Sequence, residues 1–110
     1  MLCLAALLFA TAGAQSALYD FFGTQANATL VQLNDKLTYP SNGKPGQYGW
    51  GLSSYASWTS GFFPGTLLQL YNVTGNSFYL DEGRRLTYGL AAERFDTSTH
   101  DVGVSEAQCK

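Results

Sequence analysis

Two helical runs separated by two residues confine the second half of this chain to an antiparallel pair. From Phe62 to Val73, the apolar residues Phe63, Leu67, Leu70 and Tyr71 recur on one helical face. Pro64 suits the first turn, where a missing N–H costs nothing. Gly75 is a C-terminal stop. The link is Asn76-Ser77, with Ser77 placed to cap the next helix. That helix is expected over Phe78–Phe95, with Tyr79, Leu86 and Leu90 on one face. Asp81 and Glu82 are expected in its first turn and Arg84, Arg85, Glu93 and Arg94 later, which broadly suits the helix dipole. Helices joined this tightly fold back on each other as an αα-hairpin.

Upstream, Leu18, Phe21, Phe22, Leu30, Leu33 and Leu37 predict a further helix over Leu18–Leu37. Gly23 weakens its middle, and Pro40 closes it. Tyr39–Ser57 reads as an irregular loop punctuated by Pro40, Gly43, Pro45, Gly46, Gly49 and Gly51. It carries Tyr39, Tyr48, Trp50 and Tyr55, and a long aromatic loop in a compact domain points to function. No stretch alternates with period two, so no strand is expected. The fold class is all-α, with about three helices.

The start of the chain has a different character. Residues 1–14 lack any charged side chain, hold an apolar run from Leu2 to Phe9, and end in Ala12-Gly13-Ala14. This pattern reads as a secretory signal peptide, which leaves 15–110 as the mature portion. A buried N-terminal helix is the competing reading. The run is too short for a membrane anchor, which needs roughly 20 apolar residues. Removal of Cys3 with the leader leaves Cys109 as a lone thiol, suited to an intermolecular bond or to a missing partner. Asn27-Ala28-Thr29 and Asn72-Val73-Thr74 are sequons, so Asn27 and Asn72 are expected glycan acceptors in a secreted eukaryotic protein. The net charge of -2 and the absence of a basic patch argue against nucleic acid as a partner. Aromatic residues at 15% exceed charged residues at 13%, which fits a packed domain or a carbohydrate binder and not a disordered chain.

The residues able to carry chemistry are few. CxxC, HExxH, a phosphate-binding glycine loop and GxSxG are all lacking. With one histidine in the chain, a transition-metal site is not expected, nor is a cofactor. Asp101, beside His100 on a polar stretch after a helix end, is either a cleft carboxylate or the cap of a following helix. His100 is either a scaffold hydrogen-bonding residue or a general base. Trp58 precedes the turn Gly61-Phe62-Phe63-Pro64-Gly65 and is either a core anchor or a sugar-stacking platform. Trp50 has the same two readings. Phe62 and Phe63 are expected in the core.

Ser57-Trp58-Thr59-Ser60-Gly61-Phe62-Phe63-Pro64-Gly65, followed by Leu70-Tyr71 and Thr74-Gly75 and then Thr99-His100-Asp101-Val102-Gly103, resembles glycoside hydrolase family 88, the unsaturated glucuronyl hydrolases. The resemblance covers about Tyr55 to Gly103. It implies an (α/α)6 barrel of six helical hairpins around a cleft, of which 15–110 would be the N-terminal portion. It implies a uronate-containing oligosaccharide as substrate, with an unsaturated uronic acid at the non-reducing end. The family's reaction hydrates the C4=C5 bond: an aspartic acid protonates C4, water adds at C5, and the hemiketal collapses to release the neighbouring sugar. Asp101 matches the first of two active-site aspartates, His100 is its neighbour in the motif, and Trp58 matches the tryptophan lining the sugar site. No position for the proton-donating aspartate is found before Lys110. After Gly103 the family continues with an aromatic residue, where this chain has the polar Val104–Lys110.

The expected function is therefore a secreted glycoside hydrolase of carbohydrate metabolism. The related unsaturated rhamnogalacturonyl hydrolases, which share barrel and chemistry, are the alternative within the enzyme class. Outside it stand a non-catalytic sugar-binding module and an inactive fragment.

Overall fold

The computed structural model describes residues 2–97, with side chains over 15–97. Its elements run α1 (Leu2–Leu33), β1 (Tyr39–Asn42), β2 (Gly51–Ser53), α2 (Phe62–Thr74), α3 (Ser77–Gly89) and a 3-10 turn over Ala91–Phe95. The chain is mostly helical, and its all-α class is the one the sequence implies.

The α2–α3 hairpin forms as the spacing predicts. Gly75 ends α2 in the left-handed region at φ 70, its N–H donating to Tyr71 O. Asn76, not Ser77, caps α3: its Oδ1 accepts from the Phe78 N–H at 3.0 Å, which makes Ser77 the first helical residue. Leu67 and Leu70 from α2 meet Tyr79 and Leu86 from α3, all buried, with Phe63 and Tyr71 packed alongside. Each fully buried leucine contributes about 1.5–3 kcal/mol. The helices approach closely because Gly83 faces α2, where a Cβ would lie 2.9 Å from Leu68 Cδ2.

Three expectations need correction. First, α3 stops at Gly89 instead of running to Phe95, and the Leu90 N–H turns back to Thr87 O at 3.0 Å. Because α3 starts at Ser77, Asp81 and Glu82 sit past its first turn.

Second, α1 begins at Leu2, passes through Gly23 unbroken and ends at Leu33, before either Leu37 or Pro40 acts. Asn34 and Asp35 end it by adopting left-handed φ of 49 and 59, which short polar side chains tolerate. Arg85 fastens this turn to α3. Its Nη1 donates to Asp35 O at 3.0 Å, while Nε and Nη2 bind Glu82. The packed face of α1 is Gly23, Ala26, Thr29 and Leu33, while Leu18, Phe21 and Phe22 lie exposed. Gly23 serves contact, since a Cβ there would meet the Tyr79 hydroxyl at 2.8 Å.

Third, the aromatic loop contains a small antiparallel sheet. Tyr39 pairs Ser53, Pro40 pairs Leu52 and Asn42 pairs Gly51, with an irregularity between Pro40 and Asn42. Proline is tolerated because a two-stranded sheet consists of edges. Tyr39 is fully buried and donates its hydroxyl to Leu86 O at 2.8 Å, which pins the sheet to the end of α3.

Candidate functional site

The expected aromatic turn sits where α1, the small sheet and the start of α2 converge. Between Ser54 and Gly61 the chain winds through successive tight turns: Ser60 N–H donates to Ser57 O at 2.9 Å and Phe62 N–H to Thr59 O at 3.1 Å. Ser60, fully buried, ties the turn down by donating to Tyr55 O at 2.9 Å. This leaves Trp58 outside the core, 57% exposed, meeting the Phe62 ring edge-on at 5.8 Å between centroids. Such T-shaped contact orients both rings. Phe62 is itself half exposed, against the expectation that it joins the core, because it opens α2 on the face away from Leu67 and Leu70. Phe63 does pack on the core.

Phe62 walls a groove of about 510 Å3. Phe21, Phe22 and Gln25 line it from α1, Pro40, Ser41 and Trp50 from the sheet and its loop, and Thr59, Phe63 and Thr66 from the α2 side. Its volume lies in the usual range for small-molecule sites. No charged side chain among the described residues lines it. The hydroxyls of Thr29 and Thr66 donate to main-chain carbonyls one turn back, at 2.9 and 3.0 Å, and that of Thr59 pairs with Ser57 at 2.9 Å. The Gln25 side-chain amide has no partner among the described residues.

Trp50 is held by a residue that the sequence reading passed over. The Gln32 amide bridges the Trp50 main chain at both ends. Nε2 donates to Trp50 O at 2.7 Å, and Oε1 accepts from the Trp50 N–H at 2.9 Å. Gly49 allows the approach: it has φ 91, and a Cβ would stand 3.0 Å from Gln32 Oε1. The available signal was the spacing of Gln25 and Gln32, seven residues apart and so on one helical face.

Thus the structure brings Trp58, Phe62 and Trp50 to one region. His100 and Asp101 lie outside the described residues. Asn27 and Asn72 are exposed, both on helices; Asn27 borders a separate concavity of mixed lining, with Asn34, Asp35, Asn76 and Glu82 beside Leu30, Val31, Phe78 and Tyr79. Glu93, buried in the 3-10 turn, has its carboxyl pushed above the usual range by burial and then by the negative charge of Asp96. Among the described residues no cluster of histidine, cysteine and carboxylates could hold a metal ion, and no helix is long and apolar enough to cross a membrane.

No family model matches the chain, and no solved structure matches it. Over 46 residues it is 39% identical to an unsaturated glucuronyl hydrolase from Formosa agariphila, a match covering 42% of this chain and 12% of that protein. The chain therefore spans a small part of the curated relative it matches, and the likeness is that of a distant relative of a hydrolase.

Proposed function

We propose that this chain is part of a secreted glycoside hydrolase that acts on oligosaccharides ending in an unsaturated uronic acid. The observation that carries the proposal is the 39% identity over 46 residues to a protein of that name. The exposed Trp58–Phe62 pair supports it, since a flat unsaturated ring needs an aromatic surface. The α2–α3 hairpin would be one unit of an (α/α)6 barrel.

In the proposed reaction, a carboxylic acid gives its proton to C4 of the C4=C5 enol ether. The ring oxygen stabilises the cation left at C5. Water adds there and returns a proton to solvent or to a carboxylate. The hemiketal opens to a C5 ketone, and the freed C1 hemiacetal releases the neighbouring sugar as an alcohol. Protonation at carbon removes the need for an acid on the leaving oxygen, in contrast to ordinary two-carboxylate hydrolysis. Asp101 is assigned as the first of the two acids, with His100 beside it and Trp58 as the sugar platform.

The full-length protein that contains this chain, incubated with an unsaturated disaccharide, should remove the ultraviolet absorbance of the C4=C5 bond. Asp101→Asn should lower the rate by about 10²–10⁴-fold, the usual worth of a positioned acid or base, at an unchanged melting temperature. That no charged side chain among the described residues lines the groove favours one second reading, a non-catalytic sugar-binding module. Absence of turnover, with saturable sugar binding lost in Trp58→Ala, would establish that reading.

A further inference from the structure

We infer that Trp50, fixed by Gln32, is a second sugar platform, and that the groove it walls takes a neutral pyranose ring. The inference rests on the sugar-processing reading above and extends it: the charged terminal sugar needs ionisable partners, and the described residues that line this groove include none, whereas the ring next to it needs none.

Trp50 lies just outside the paired stretch of the sheet, whose ladder on this strand begins at Gly51, so strand pairing does not hold it. A single glutamine amide holds its peptide instead, by two hydrogen bonds of 2.7 and 2.9 Å. Ordering a long side chain for this purpose costs conformational entropy. Gly49, in the left-handed region, leaves room for the amide to approach. Despite the fixed backbone, Trp50 remains 48% exposed and borders the groove. A half-exposed indole carried on a backbone held at both its N–H and its C=O is a partly preorganised surface, which lowers the ordering cost of binding.

The groove also contains the second element a neutral sugar requires. Pyranose rings offer an apolar C–H face and a rim of hydroxyls. The first suits the negative face of an indole or phenyl ring. The second needs uncharged donors and acceptors, and the Gln25 amide, without a partner among the described residues, supplies both. With no charged side chain among the described lining residues, affinity should not depend on salt.

The test uses the full chain and three neutral probes: methyl β-glucopyranoside, methyl β-N-acetylglucosaminide and methyl α-rhamnopyranoside. Calorimetry should show saturable binding of at least one, equal at low and high salt. Trp50→Ala should weaken it about tenfold, while Trp50→Phe, which keeps an aromatic face, should weaken it less. Gln32→Met should weaken it in the parent and add nothing in Trp50→Ala, as expected of a residue acting through another. The chain has two tryptophans, so Trp58→Phe leaves Trp50 as sole emitter. In that background Gln32→Met should lower the fluorescence anisotropy of Trp50, a signature that general destabilisation below the melting transition does not give.

Failure of all three probes to bind, or equal binding by Trp50→Ala at an unchanged melting temperature, would overturn the inference. So would a Gln32→Met effect that persists in Trp50→Ala. The two proposals separate cleanly. Neutral-sugar binding at Trp50 without hydration of unsaturated disaccharide refutes the enzyme reading alone. Hydration with an unchanged KM in Trp50→Ala refutes this inference alone.

Discussion

Tyr39 joins the end of the helical hairpin to the sheet, and the strength of that joint follows from a single carbonyl. α3 ends at Gly89, so the Leu86 carbonyl belongs to the last turn, whose acceptors lack helical partners. The N–H that would have reached it, on Leu90, goes to Thr87 O at 3.0 Å. The Tyr39 hydroxyl takes its place at 2.8 Å. Tyr39, Leu86 and Leu90 are all fully buried, so water cannot substitute. Tyr39→Phe removes a hydrogen bond and strands a buried acceptor, a loss of about 1–3 kcal/mol. In a domain of this size each kcal/mol lowers the melting temperature by about 4–8 °C. Gly89 supplies the control. A methyl group there would fall on the Tyr39 hydroxyl oxygen. Gly89→Ala should therefore destabilise the parent but cost much less in the Tyr39→Phe background, with a coupling of about 1 kcal/mol or more. Thermal and urea unfolding of the four proteins, followed by circular dichroism, measures all three differences. A Tyr39→Phe cost under about 0.5 kcal/mol, or strictly additive effects, would refute the claim that this hydroxyl terminates α3.

Three further expectations concern other parts of the molecule. Asn76→Ala should cost about 1 kcal/mol, the usual worth of an N-cap, and Asn76→Asp should restore most of it; urea midpoints report both. Glu93 ionises at a higher pH in the folded chain than in the unfolded one, because burial and Asp96 both oppose its charge. The folded state thus holds this proton more tightly, and stability falls as pH rises from the ordinary glutamate range, about 4.3, to the raised folded value. Glu93→Gln should match the parent in acid and exceed it in melting temperature near neutrality; the reverse order would show that the charged form is the favoured one. On secretion from a eukaryotic host, the proposed leader over 1–14 and the glycans on Asn27 and Asn72 should appear as a shortened N-terminus and two enzyme-removable mass increments by mass spectrometry.

The helical hairpin was legible because local chemistry decides it. Gly75 can take a left-handed φ without strain, and the leucine spacing marks the buried stripe directly. The extent of α1 was not legible for the opposite reason. Apart from Leu33, its contact face consists of Gly23, Ala26 and Thr29, small residues that hydropathy does not mark, and Gly23 is buried where Tyr79 comes close. Its large residues, Phe21 and Phe22, are the exposed ones. Of the apolar residues that marked the helix, Leu33 and Leu30 reach the core, while the aromatic pair does not. The small sheet was missed because its strands are too short to show alternation, and because burial of Tyr39 against α3, a contact 47 residues away in sequence, holds it.

The candidate site divides along the same line. Trp58 was singled out by the resemblance because Trp-Thr-Ser-Gly-Phe-Phe-Pro-Gly is a contiguous motif, and its exposure follows from turn bonds within that motif. Trp50 was open between core and platform because its surroundings are set by Gln32, 18 residues earlier. A lone helical glutamine carries no sequence mark that separates a solvated side chain from a clamp. What separates them is the backbone of its partner: left-handed Gly49 followed by an aromatic residue outside the strand ladder leaves one peptide N–H and one C=O needing a bidentate partner. A side-chain amide is the smallest group that offers both a donor and an acceptor at that spacing. Glutamate at this position would keep the bond to the Trp50 N–H but place a negative charge against its carbonyl oxygen. Gln32→Glu should accordingly loosen Trp50 at neutral pH and recover the bond when the carboxyl is protonated, a pH dependence in indole anisotropy that the parent chain lacks.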